Sequence, residues 1–166
     1  MVILIRKKYS RGFDLKEQTF IIIKPDAIHR KLEKEIFNII EENGFSILES
    51  KKVIVKKDII LKHYQEVIER IKLDYFQNAI IEAFDQKEVI IAKIESETDT
   101  INKLRKLVGA TDPSKASSDS IRGKLGNDSF DLASKEKRMI NNLIHASDSI
   151  ISAKKEISLW FDKQGF

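Results

Sequence analysis

The sequence contains no cysteine, only two prolines and six glycines, and no apolar run long enough to cross a bilayer. The missing cysteines exclude disulfides, thiolate catalysis and cysteine-ligated zinc, and they suit a cytoplasmic setting. Histidine is scarce as well. His29, His63 and His145 are widely spaced, which argues against a histidine-rich metal cage. Glycine is too thin and scattered for a Gly-x-x-x-x-Gly-Lys-Ser/Thr loop or a kinase glycine-rich loop, so any phosphate bound here must be handled by side chains. A strong excess of one charge is also lacking. The 30 basic residues against 26 acidic ones leave a net charge of +4, mildly favourable to anionic ligands and too weak to mark a nucleic-acid binder.

What is present points to one soluble globular domain. The chain has 166 residues, 42% hydrophobic and 34% charged, enough for a real core beneath a well-charged surface. Residues 1–16 read as a short N-terminal extension or edge strand, and residues 17–166 as the domain. The apolar Val2 to Ile5 is too short for a signal peptide, and Arg6, Lys7, Lys8 and Arg11 follow it.

Thr19 to Ile23 is a β-branched and aromatic run that reads as a buried strand, ended by Lys24-Pro25-Asp26. Leu32, Ile36, Ile39 and Ile40 are at helical spacing, with Gly44 as the stop. Phe45 to Val55 returns to strand character. Asp58 is expected to cap a helix carrying Leu61, Tyr64, Val67 and Ile68, and Tyr75 to Phe84 is expected to be helical. Val89 to Ala92 predicts a strand. A helix capped by Thr98 or Asp99 follows and stops at Gly109. Ala110 to Ser120 predicts a loop long enough to be functional. The chain is polar from Asn127 to Ser134, with a short helix expected over Lys135 to Asn142, a brief strand at Leu143-Ile144 and a final helix from Ser149 to Phe161. This order predicts an α+β fold: a ferredoxin-like βαββαβ antiparallel sheet with helices on one side, plus extra helices and an inserted loop.

The chemistry gathers near the C-terminal end, in Asn141 to Ser149. His145 follows an apolar pair and precedes small polar residues, and a neutral imidazole is a competent nucleophile that forms phosphoramidates. Taken alone, such a histidine is more often a packing residue. Lys24 stands at a strand end, and Arg105, Thr111 and Arg122 frame the long loop, where guanidinium groups can fork onto phosphate oxygens. Each of these is weak by itself.

Together with other segments they carry a resemblance. Thr19 to Asp26, His63-Tyr64, Gly109 to Pro113, Ser120 to Gly123, Asn142 to Asp148 and Ala153 to Phe161 occur in order, and the chain from about Gln18 to Phe161 resembles the nucleoside diphosphate kinase family. The resemblance implies a ping-pong phosphotransfer from a nucleoside triphosphate to a nucleoside diphosphate through a phosphohistidine on His145. It implies that Arg105, Thr111 and Arg122 hold the phosphates with Mg²⁺ bridging them. Lys24 and Asn142 would contact the sugar, and Lys24 would also reach towards the transferred group. Tyr64 would support Lys24, Glu156 would orient the imidazole, and Ser147 would lie close by. Tyr75 is the expected base platform, with Phe76 as the alternative. The same resemblance implies a homo-oligomer, a hexamer or a tetramer built on dimers. Asp148 is read as a helix N-cap rather than a metal ligand.

The chain also departs from the family pattern. Ala27 and Ala146 stand where glycine is common, and either would be mildly strained if the backbone there needed positive φ. Arg70 to Phe76 is longer than the usual segment and lacks its proline. Gly126 to Arg138 is additional, and is expected as a surface excursion near the nucleotide. No long tail follows Trp160-Phe161. Two competing readings are a nucleotide- or nucleic-acid-binding module of ferredoxin-like fold without turnover and a degenerate family member acting as a scaffold. The first lacks the aromatic strand motif it needs, and the second would have lost a histidine or arginine that this chain keeps.

Overall fold

A computed structural model describes residues 16–162, so the expected N-terminal extension lies, but for Lys16, outside the described residues. Four strands form one antiparallel sheet in the order β2-β3-β1-β4: β1 (Gln18–Ile23), β2 (Ser46–Ile54), β3 (Glu88–Glu95) and β4 (Ile144–Ala146). This is the ferredoxin-like α+β arrangement. β1 lies at its centre because Phe20 to Ile23 is apolar on both sides, which only a strand covered on both faces tolerates.

Strand alternation divides these residues between two cores. Ile21 and Ile23 face α2 (Glu33–Glu42) and α6 (Thr100–Val108), packing with Ile36, Ile40, Leu104 and Val108. Phe20 and Ile22 face the opposite way, towards α3 (Lys57–His63), α5 (Phe76–Phe84) and the end of α9 (Ile150–Ile157), with Ile60, Ile80, Phe84 and Trp160. The first pair of helices is the ferredoxin-like layer, and the extra helices cover the other face. Gly44 (φ 84°) and Gly109 (φ 93°) terminate α2 and α6 as expected, in the left-handed region that glycine enters without strain.

Several expectations change in detail. Lys56, not Asp58, occupies the cap position of α3, and Asp58 lies in its first turn. The expected single helix there is split at Tyr64 into α3 and α4 (Gln65–Arg70). Asp99 does cap α6, but it is left-handed (φ 52°), and its carboxylate accepts from the Asn102 side chain rather than from the helix backbone. Arg122 lies in a short helix, α7 (Ile121–Leu125), after the helix α1 (Pro25–His29) and the others in chain order. The inserted stretch holds α8 (Phe130–Lys135), earlier than the helix expected over Lys135 to Asn142. Ser129 starts α8 by accepting from the Leu132 amide, and Lys137 at φ 51° ends it. Arg138 then folds back onto Asp128 in a bidentate pair at 2.6 and 2.9 Å, which closes the excursion.

The final helix also differs. Ser149, not Asp148, is its N-cap, in a reciprocal box with Ser152, while Asp148 accepts from the Ser152 hydroxyl. From Ser158 to Asp162 the coil widens into a π-helical turn, and Trp160 and Phe161 there are buried.

Candidate active site

β4 pairs with β1 so that His145 lies opposite Ile22, between the inward-facing Ile144 and Ala146. Alternation therefore turns the imidazole to the face shared with Phe20 and Trp160. Two residues earlier, Leu143 is held at φ 70°, a left-handed conformation that costs a leucine about 1–3 kcal/mol. It persists because its amide donates to the Asp26 carboxylate at 2.9 Å and its carbonyl accepts from the Lys24 amide at 2.8 Å. Ala27 and Ala146 carry no such strain: one is in α1, the other in β4, and neither has positive φ.

His145 is half-buried and opens onto a cavity of about 580 Å³. Its Nε2 is 3.0 Å from Oε2 of Glu156, and the same carboxylate oxygen accepts from the buried Ser147 hydroxyl at 2.5 Å. Burial pushes the Glu156 carboxyl up, but the imidazoles of His145 and His63 and the Ser147 hydroxyl outweigh it and hold it below the usual glutamate range. An ionised Glu156 can only accept, so Nε2–H donates to it, which leaves Nδ1 as the nitrogen with a free lone pair.

Arg105, Thr111, Arg122 and Asn142 all line this cavity with His145, so the residues named from the sequence do converge. Arg105 donates to the Ala146 carbonyl at 3.2 Å. Arg122 is buried and spends donors on the carbonyls of Asn142, Gly109 and Ile144, which locks β4 to the loop and leaves its remaining N–H groups for a ligand. Burial lowers its pKa to about 10, so it stays cationic at neutral pH. Two glycines let the loop come this close: a side chain at Gly109 would strike Ser120, and one at Gly123 would strike the Ser117 carbonyl. The Asn142 amide donates to the Thr111 carbonyl at 2.9 Å and its oxygen accepts from Lys24 Nζ at 2.8 Å.

Lys24 itself is almost wholly buried, and two of its three ammonium donors go to Asn142 and to the Ile140 carbonyl at 2.9 Å. It stands behind the cavity wall, braced against Asn142. Desolvation lowers its pKa to about 8, opposed by Asp26 and assisted by Arg122. Tyr64 is buried against His63, Phe84 and His145, and burial raises its hydroxyl pKa, so it remains a neutral phenol. Tyr75 and Phe76 both line the cavity, half-buried at the start of α5. Facing into the same cavity from the inserted stretch are Phe130, Ala133, Ser134 and Arg138. The excursion is thus part of the pocket wall as well as a surface feature.

The arrangement is an imidazole with one nitrogen tethered, in a cavity lined by arginines and by apolar side chains. A model of the nucleoside diphosphate kinase family matches residues 17–166. The chain belongs to that family. The nucleoside diphosphate kinase of Methanosphaera stadtmanae is 34% identical over 152 residues, covering 92% of this chain and 90% of its own length. A solved transition-state mimic of the nucleoside-diphosphate kinase from Borrelia burgdorferi, with bound vanadate and ADP, superposes with a TM-score of 0.84 at 30% identity, covering 90% of this chain and 89% of that one. The NDP kinase structure from Pyrobaculum aerophilum gives a TM-score of 0.77 at 30% identity, covering 89% of this chain and 97% of that one. As a member of that family the chain is a phosphotransferase, and among its described residues no helix is long and apolar enough to cross a membrane.

His63 is the residue that sequence reasoning left without a role. It lines the cavity with its ring centroid 4.5 Å from that of His145. The sequence signal was its place beside Tyr64 among the ordered segments, but no spacing rule could bring it to His145.

Proposed function

We propose that this enzyme moves the γ-phosphate of a nucleoside triphosphate, typically ATP, to a nucleoside diphosphate in two half-reactions through a phosphohistidine on His145. What carries the reading is the tether of His145 Nε2 to Glu156, which leaves Nδ1 to act within the arginine-lined cavity. In the first half-reaction the Nδ1 lone pair attacks the γ-phosphorus as the bond to the β-phosphate oxygen breaks, and the diphosphate leaves. In the second, a β-phosphate oxygen of another diphosphate attacks the same phosphorus, and the P–N bond breaks. Such transfers depend on positioning and charge neutralisation more than on further covalent chemistry.

Arg105, Thr111 and Arg122 hold the phosphates in this reading, and Asn142, backed by Lys24, meets the sugar. Tyr75, or failing it Phe76, stacks on the base. Glu156 takes up positive charge on the imidazole as Nδ1 bonds to phosphorus, with Ser147 fixing the carboxylate and Tyr64 packing beside the ring. Mg²⁺, bound mainly through the nucleotide's own phosphates, would supply the remaining neutralisation. The donor set fits that mode: of the carboxylates lining the cavity, Glu156 is committed to His145 and Ser147 and Glu66 is paired with Lys155, which leaves the exposed Asp148, beside Arg105. The proposal extends to a cytoplasmic homo-oligomer, a hexamer or a tetramer of dimers.

The test is incubation with γ-labelled ATP. A phosphoenzyme that is labile to acid, stable to base, chased by a nucleoside diphosphate and absent from His145→Asn is the expected result. Label retained by His145→Asn would place the chemistry elsewhere.

A further inference from the structure

His63 ends α3 with its ring nearly perpendicular to that of His145, at an interplanar angle of 83°. On its other side the wholly buried Trp160 donates Nε1–H to His63 Nδ1 at 3.2 Å. An indole nitrogen can only donate, so Nδ1 must be a bare acceptor. Burial, and after it the neighbouring His145, pull the His63 pKa down to about 3, against a smaller opposing pull from Glu156. The ring is therefore neutral, and its one proton is on Nε2.

A ring nitrogen of His63, one of His145 and a carboxylate oxygen of Glu156 lie within 4.8 Å of one another. By ligand type and spacing the trio would suit zinc. The tautomer argues otherwise. A neutral imidazole that binds metal through Nε2 carries its proton on Nδ1, where Trp160 already directs one. The trio is better described as two rings and a carboxylate that orient one another.

His145 needs such orientation. β4 is only three residues long, and among the described residues the side-chain hydrogen bond of His145 runs to Glu156 alone. A ring flip would exchange its nitrogens for carbons at the tether and at the cavity. Phe20, at 6.3 Å between centroids, offers an apolar wall that does not distinguish the two orientations. His63 is the closest ring, and it is polar, fixed in tautomer and bonded to the buried Trp160.

We propose that His63 is a positioning residue: braced by Trp160, it holds the His145 ring in the orientation that gives Nε2 to Glu156 and presents Nδ1 to the phosphate. This rests on His145 being the nucleophile, and the test separates the two. In ¹⁵N spectra of the wild-type protein, His63 should show Nδ1 unprotonated and Nε2 protonated at neutral pH, and His145 a single tautomer with its proton on Nε2. In His63→Phe, His145 should populate both tautomers. Phosphoenzyme formation should slow roughly ten- to a hundredfold, the range expected for a misplaced reacting group, with KM for ATP changed less than about twofold. His63 protonated on Nδ1 in the wild type would overturn the proposal whether or not the variant folds. So would a His63→Phe enzyme with an unchanged His145 tautomer and rate, or one in which rate, KM and melting temperature deteriorate together. If no phosphoenzyme forms in the wild type, the phosphotransfer reading fails, while the His145 tautomer in His63→Phe still decides whether His63 sets the ring's orientation.

Discussion

At the scale of single residues the site depends on which groups carry charge. Replacing Glu156 with glutamine keeps the shape but removes the anion that meets the imidazolium. Phosphoenzyme formation in Glu156→Gln should fall on the order of a hundredfold while nucleotide KM stays close to wild type, as stopped-flow and steady-state kinetics would show. The same carboxyl has a pH signature. Its folded-state pKa is depressed, so its stabilisation is present above the unfolded value of 4.5 and is lost as pH falls through the folded one. Acid unfolding of Glu156→Gln should therefore be less steep. Lys24 has the same sign in a more alkaline window, there because burial penalises its cation. Burial lowers its pKa from 10.5 to about 8, so between those values the unfolded chain holds a proton that the folded chain has released. Its contribution to stability rises with pH across that window. Lys24→Met should flatten that rise in denaturant titrations run from pH 8 to 10.5. Neither shift is visible in the sequence, because each comes from burial beside groups distant in the chain.

At the scale of elements, the inserted stretch shows how a polar segment acquires a fixed shape. The carboxylate of Asp128 is buried, and it accepts from Arg138 and from the Asn141 amide at 2.8 Å. Asp128→Ala leaves Arg138 and that amide without their partner. With Arg138 itself partly exposed, the cost should be about 1–3 kcal/mol. Hydrogen exchange should show lost protection across residues 128–141 while β1 and β3 stay protected. The helices with strong apolar periodicity, such as α2 and α6, and the continuous apolar run of β1 were legible in the sequence. α8 was not. It has few buried residues, and its start, its end and the return of Arg138 are set by local hydrogen bonds that periodicity does not report. The break between α3 and α4 was hidden for a related reason: the apolar spacing continues through Tyr64 although the helix does not.

At the scale of the whole molecule, two cores on opposite faces of one thin sheet leave apolar side chains exposed. Leu48 and Ile54, on the edge strand β2, are 44% and 51% exposed. An edge strand of this kind invites covering by another chain. Light scattering should find an assembly larger than a monomer, its melting temperature should rise with concentration, and Leu48→Lys should shift the distribution to smaller species.

By itself the sequence determined the α+β class, the central apolar strand, the glycine stops and the family, because these are written in local spacing and in short ordered motifs. It also named His145, Arg105, Thr111, Arg122 and Asn142, which the fold gathers at one cavity. Only the tertiary structure decided that Lys24 stands behind Asn142, that the inserted stretch walls the pocket, and that His63 lies against the nucleophile. Those facts depend on contacts between residues far apart in the chain. Such contacts are fixed by how the two cores pack against the sheet, which no local pattern encodes.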